Sequence, residues 1–229
     1  MQKDGRDKRS ARRGGISISM FRDRKDAGER LAAKLAGYRG QAATLLLALP
    51  RGGVPVAATM ARVLSLPMDV LPVRKIGAPS EPELAVGAVA ADGLVVLDEE
   101  TIAAMYISRV ALEAVITEQR KELRRRERLY RGDRPPLMLD GHTCILVDDG
   151  LATGYTMLAA ARAVRKLNPA KVVVAVPVAP QETLDRLATE ADEVLCALVP
   201  PRLAAVGQFY QDFRQISDAE VRELISSGG

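Results

Sequence analysis

T-C-I-L-V-D-D-G-L-A-T-G-Y-T, running from Thr143 to Thr156, is the stretch on which the reading of this chain turns. Thr143 to Val147 are apolar or β-favouring, enough for a buried strand and too few for a helix. Asp148 and Asp149 end the run, and a loop follows with Gly150 and Gly154 and the hydroxyls of Thr153 and Thr156. From Met157 the residues M-L-A-A-A-R-A-V-R-K-L are strong helix formers. Glycines allow a tight turn and let an anion approach the chain. Loop amides at a helix N-terminus make a phosphate cradle. Ionised carboxylates only accept hydrogen bonds, so they repel phosphate but hold sugar hydroxyls. A site with both suits a ribose that carries a phosphate. The plain alternative is a strand-to-helix turn whose acidic pair caps the helix.

The run I-L-V-D-D-G-L-A-T-G-Y-T resembles the phosphoribosyl pyrophosphate (PRPP) motif of the type I phosphoribosyltransferases at every defining position. The resemblance implies that Asp148 and Asp149 contact the ribose hydroxyls. It also implies that Gly150, Leu151, Ala152, Thr153, Gly154, Tyr155 and Thr156 hold the 5′-phosphate.

Working outward, Thr44 to Leu49 reads as a second buried strand, running into Pro50-Arg51-Gly52-Gly53. V-P-V-A-A-T-M-A-R-V-L then reads as a helix with Pro55 in its first turn. Arg51 would present a fork of donors beside the open amides of Gly52 and Gly53. A-L-P-R-G-G-V-P resembles the family's pyrophosphate loop, which often carries a non-proline cis peptide. That makes Pro50–Arg51 the candidate bond. Asp69 to Val73 reads as a strand ending in Arg74 and Lys75, two cations on the rim where open α/β sheets bind ligands. In the family, basic residues here reach the pyrophosphate. Each of these features has a solvated alternative.

Residues 76–99 change character. Gly77, Pro79 and Pro82 interrupt regular structure, and E-L-A-V-G-A-V-A with L-V-V-L-D reads as a β-hairpin turning at Asp92-Gly93. The resemblance implies a mobile loop and hairpin here; Glu81 and Glu83, the acids of its proximal part, either assist proton transfer or are simply solvated. Residues 100–132 read as a helical insertion broken near Tyr106 to Ser108. Its dense K/R/E mix suits a solvated face with i,i+4 ion pairs, and a nucleic-acid face is the sharper alternative.

Nearer the N-terminus, Asp23 and Asp26 are cap candidates for a helix that buries Leu31 and Leu35. After the central unit, Lys171 to Val178 and Glu193 to Val199 read as strands around a helix from Gln181 to Ala191. Buried strands alternating with helices predict a doubly wound parallel α/β sheet. In the tail, Phe209, Tyr210 and Phe213 gather three of the eight aromatics of the chain. Phe209 or Tyr210 is expected either to stack on a nucleobase, as in the family, or to close the core.

The length of 229 residues suits one domain over 20–229, and a hydrophobic content of 48% supports a sizeable core. The net charge is +4, and much of the excess lies in a leader over 1–19 that is polar, basic and expected to be disordered. Lone His142 with dispersed Cys144 and Cys196 excludes most His/Cys metal sites and Ser-His-Asp chemistry. The two cysteines read as buried thiols, which favours a cytoplasmic setting. No apolar run is long enough to span a membrane as a helix.

The resemblance implies transfer of the 5-phosphoribosyl group of PRPP to a nitrogenous base or amine, with release of pyrophosphate. Asp148, Asp149, Arg51 and Lys75 would carry that chemistry. Mg²⁺ would bridge pyrophosphate and ribose, meeting the two acids only through ribose or water. A homodimer is implied, and neither a membrane nor a nucleic acid is expected as partner. Ala152 stands where the 6-oxopurine enzymes carry an acid, which brings the chain closer to the adenine and orotate types and leaves the acceptor unassigned. A PRPP-sensing or RNA-binding regulator on the same fold is the alternative, and a structural subunit of a larger enzyme is a second.

Overall fold

The computed structural model describes residues 20–90 and 93–227; the basic leader over 1–19 and Asp92 of the hairpin turn lie outside the described residues. Helix α1 (Arg24–Lys34) opens the fold, with Asp23 as its N-cap accepting from the Asp26 amide at 2.8 Å. Strand β1 (Thr44–Ala48), helix α2 (Gly53–Leu64) and the short β2 (Met68–Val70) form the first crossover unit. Next come β3 (Arg74–Ala78), β4 (Glu81–Val89) and β5 (Val95–Leu97), followed by α3 (Glu99–Ala104) and α4 (Arg109–Arg131). The second crossover series is β6 (Thr143–Val147), α5 (Tyr155–Arg165), β7 (Lys171–Val178), α6 (Gln181–Leu187) and β8 (Glu193–Leu198). Helix α7 (Asp218–Ser227) closes the described chain.

The main sheet has the order β2-β1-β6-β7-β8, and each adjacent pair is parallel. Side chains alternate between its faces, as strand geometry requires. Leu46, Ala48, Ile145, Val147, Val173 and Ala175 pack towards α1, α2 and α7. Leu47, Cys144, Leu146, Val172, Val174 and Val176 pack towards α5 and α6. Both faces are covered, which is why the strands read as continuous apolar runs.

The topology sets the position of the site. From β1 the chain moves through α2 to the β2 edge, while from β6 it moves through α5 towards β8. Neighbouring strands β1 and β6 thus send their following loops to opposite faces. A crevice opens between those loops at the carboxyl ends of the strands.

Two expectations need correction. The strand expected over 69–73 stops at Val70, and Arg74 and Lys75 begin β3 in a separate antiparallel sheet of order β3-β4-β5. Pro72 has no amide hydrogen to continue the parallel ladder. The span around Gly77, Pro79 and Pro82 is mostly strand: only Pro79 and Ser80 turn between β3 and β4. Register shifts on either side of Gly77 absorb the irregularity, and the Gly77 backbone lies so close to Pro82 that a Cβ would clash.

The small sheet rests on the helical segment. Ile76, Val86 and Val89 pack with Ile102, Leu112, Ile116 and Leu123. On α4 the buried Leu112, Ile116, Leu123 and Tyr130 fall along one side of the helix, and the charges take the rest. The expected break is present: α3 ends at Ala104, and Ser108 caps α4 by accepting from the Ala111 amide at 3.1 Å.

Candidate functional site

The loop from Gly150 to Gly154 carries β6 into α5. Gly154 is left-handed (φ 73°), and an added Cβ would run into Thr183, so both conformation and space call for glycine. The carbonyls of the loop are tied outward. Tyr210 Oη donates to Asp149 O at 2.6 Å, Thr183 Oγ1 to Ala152 O at 2.8 Å, and Arg186 Nη1 to Thr153 O at 3.1 Å. The amides of Ala152, Thr153, Gly154, Tyr155 and Thr156 meet no acceptor among the described residues. Ala152 and Thr153 are exposed. These donors sit at the positive end of an eleven-residue helix. Leu151 differs from the expectation: its amide donates to Val178 O at 2.8 Å, and its side chain is 4% exposed. It anchors the loop to β7 and offers no donor.

The two acids have different surroundings. Asp148 lines a cavity of about 350 Å³ with Pro50, Arg74, Lys75, Arg126 and Thr156. Protein surrounds its carboxylate on the other sides. That loss of solvation holds the acid well above the usual carboxylate range, and the negative charge of Asp149 pushes the same way. The Asp149 amide opposes this by donating to Asp148 Oδ1 at 2.8 Å. Asp149 is not part of the cavity wall; its carboxyl touches that of Asp148 and meets Arg24, whose Nε and Nη2 lie 2.8 and 2.7 Å from Oδ2. Burial raises the Asp149 acid, while the Arg24 charge and hydrogen bond hold it down.

The loop after β1 abuts this pair. Gly52 lies against the Asp149 carboxylate, and Gly53 against the Val147 carbonyl, each without room for a Cβ. The Pro50–Arg51 peptide is cis. Pro50 belongs to the cavity wall, whereas the Arg51 guanidinium is directed to Asp218 of α7, with Nη1 at 3.7 Å from Oδ1. Arg74 Nε donates to Gln119 Oε1 at 2.9 Å. Lys75, beside it on β3, shares the cavity. Glu81, which opens β4, is exposed, and the side chain of Glu83 lies outside the described part. A slightly larger cleft of about 420 Å³, lined by Arg24, Pro55, Ile216 and Leu224 among others, includes no residue of the loop after β6.

The tail resolves the alternatives left open for its aromatic residues. Phe209 and Tyr210 are 6% and 4% exposed and pack with Phe21 and Val178. Neither presents the open face that stacking on a base requires; they close the core. Phe213 is the ring of the three with open surface, at 36% exposed.

Two site residues were not read from the sequence. Arg24 lies in a D-R-K-D run that looks solvated, yet it is 8% exposed. Arg126 lies in the charged mix of α4 and yet belongs to the cavity wall. Much of that mix does pair with itself, as a solvated helix face would: Arg120 with Glu113, and Arg125 and Arg126 with Glu122.

Comparison with known proteins identifies the domain family. The family model for the phosphoribosyl transferase domain matches residues 17–201. Proteins from two strains of Mycobacterium tuberculosis, provisionally named phosphoribosyl transferases, are each 45% identical over 204 residues. That match covers 89% of this chain and 46% of each relative, so the chain spans about half the length of these curated relatives. The crystal structure of TT1426 from Thermus thermophilus aligns with a TM-score of 0.82 at 45% identity, over 91% of this chain and 98% of that one. AQ2163 from Aquifex aeolicus, at 16% identity and a TM-score of 0.50 over 80% of this chain and 78% of its own, shares the fold alone. With a matching domain model over most of its length and a relative of nearly the same structure, this chain belongs to the phosphoribosyl transferase domain family.

Proposed function

We propose that the protein transfers the 5-phosphoribosyl group of PRPP to a nitrogen of a base or amine and releases pyrophosphate. The observation that carries this reading is the run of amides from Ala152 to Thr156, without acceptors among the described residues, beside a cavity that Asp148 shares with Arg74 and Lys75. The loop supplies donors for a terminal phosphate, the carboxylate an acceptor for ribose hydroxyls, and the cations a counter-charge for a diphosphate. A ligand with those three parts in that order is a phosphoribosyl diphosphate.

Each step follows from positioning and charge. The amides and Thr156 fix the 5′-phosphate. Asp148 accepts from a ribose hydroxyl and favours the positive charge that develops at C1. As the C1–oxygen bond breaks, pyrophosphate leaves with the electron pair, and Arg74 and Lys75 offset its charge. The acceptor nitrogen forms the new bond to C1 and loses its proton to water or a nearby base. Holding donor and acceptor in one cleft supplies much of the acceleration. Asp149, held by Arg24, is read here as the brace that sets Asp148.

Among the described residues no group of three His, Cys, Asp or Glu side chains could hold a metal. A cation that keeps its waters and takes most ligands from substrate phosphates still fits a cavity with a single carboxylate, and Mg²⁺ is such a cation. When bound it would be held near Asp148 through water and would supply positive charge against the departing diphosphate. A homodimer and a cytoplasmic setting belong to the same proposal. The first rests on the resemblance alone; the second is supported by free Cys144 and Cys196.

The test is a screen of free bases and ammonia with PRPP and Mg²⁺, read as pyrophosphate release. Turnover with at least one acceptor is expected. Salt-dependent RNA binding with no release on any acceptor would favour a regulatory role instead.

A further inference from the structure

We propose that Arg126, carried by α4 outside the parallel sheet, is a direct ligand of the diphosphate of the phosphoribosyl donor. This rests on the function proposed above and extends it to a helix that the sequence presents as a solvated appendage.

The polar and charged side chains of the cavity wall come from three separate pieces of chain. Asp148 and Thr156 come from the β6–α5 unit, Arg74 and Lys75 from β3, and Arg126 from α4. Arg74 and Arg126 place two guanidiniums on this wall. Glu122 offers Arg126 only part of its single charge. Arg126 Nε donates to Glu122 Oε1 at 2.9 Å, while Arg125 holds the same carboxylate through Nε at 2.8 Å and Nη2 at 3.0 Å. Arg74 makes no ion pair among the described residues; its Nε partner is the neutral amide of Gln119. Burial, and then the positive charge of Arg126, press the pKa of Arg74 down from its ordinary value. Two guanidiniums that repel each other across a partly closed cavity leave room for an anion to bridge them. A diphosphate fits, because it can accept from two planar forks at once.

The helix that carries Arg126 is fixed. Leu112, Ile116, Leu123 and Tyr130 are buried along α4, so the guanidinium is offered from a rigid element and not from a free arm. Neighbouring Arg125 provides an internal control. It shares Glu122, but its side chain is 59% exposed against 27% for Arg126, and it is not part of this cavity wall.

The experiment is calorimetric titration of the full chain with inorganic pyrophosphate and, separately, with ribose 5-phosphate. The proteins are the wild type, Arg126→Gln, Arg126→Lys and Arg125→Gln. Arg126→Gln is expected to weaken pyrophosphate binding tenfold or more and to leave ribose 5-phosphate within twofold. Arg126→Lys should recover part of the loss, and Arg125→Gln should match the wild type with both ligands. Wild-type pyrophosphate affinity in Arg126→Gln overturns the proposal while leaving the proposed function standing. An equal loss of both ligands in Arg126→Gln also overturns it, because the residue would then be supporting the fold. A wild-type protein that binds neither ligand overturns the proposed function and this inference together.

Discussion

Arg24 and Asp149 stand 125 positions apart in sequence and meet in a two-pronged contact, with Nε at 2.8 Å and Nη2 at 2.7 Å from one carboxylate oxygen. The same guanidinium donates to the Arg214 carbonyl at 2.8 Å and lies 4.0 Å from the centre of the Phe213 ring. Tyr210 Oη reaches the Asp149 carbonyl at 2.6 Å. The start of α1 and the tail thus grip the acidic pair from behind. Asp148 is left as the carboxylate that faces the cavity.

Removing Arg24 should therefore be costly. Its side chain and that of Asp149 are 9% and 13% exposed, so the loss strands a nearly buried charge. Breaking such a pair from one side costs about 3–5 kcal/mol. Arg24→Gln is expected to lower the urea-unfolding free energy by about 3 kcal/mol at pH 7. The double variant Arg24→Gln/Asp149→Asn should recover part of it. A loss below about 1 kcal/mol, the range of an exposed pair, would contradict this reading.

Gly52→Ala tests the fit between the two loops. Gly52 has ordinary helical angles (φ −60°, ψ −37°), so alanine meets no backbone objection there. The obstacle is steric, because the new methyl would occupy the space of the Asp149 carboxylate. Forcing it in should cost about 1–3 kcal/mol and reduce PRPP affinity at least tenfold. Gly37→Ala, with nothing near its Cβ, serves as the control. Equal behaviour of the two variants would show that the loops are not in contact as described.

The acidity of Asp148 gives a pH-dependent stability of defined sign. An acid whose folded pKa lies above its ordinary 3.8 binds its proton more tightly in the folded state. Its ionisation therefore removes stability as pH rises from about 3.8 through the raised value, and the deficit persists above it. Depressed acids such as Asp98 and Asp192 act in the opposite direction, so the effect must be read as a difference between proteins. Without ligand and with chelator present, Asp148→Asn is expected to melt about 2–4 °C above the wild type at pH 7.5, and the gap should close towards pH 4. A gap that is absent, or that widens on acidification, would show that Asp148 ionises without penalty. The same variant should bind PRPP more weakly, since the carboxylate that costs stability is the one that faces the ligand.

What the sequence disclosed, and what it withheld, follows from the range of the interactions. β6 and β7 were legible to the residue because each is an unbroken apolar run bounded by turn residues. The loop was legible because its glycines, threonines and acids are contiguous. Arg74 and Lys75 were placed on the rim but on the wrong strand, because the effect of Pro72 is visible only once the parallel ladder is known to end at Val70. Gly77 and the prolines around it suggested a break because the accommodating register shifts depend on the partner strand. Arg24 and Arg126 left no local signal at all. A cation among mixed charges reads as solvated unless its distant partner or cavity is known.

The most direct measurement is an amide nitrogen–proton NMR titration of the labelled protein with PRPP, following Ala152 to Thr156. Those amides meet no protein acceptor among the described residues, so bound phosphate should shift their protons downfield while the already bonded Leu151 amide moves little. Saturable shifts at those five positions are the expected result. Unmoved loop amides at PRPP concentrations that perturb other parts of the chain would contradict the central claim.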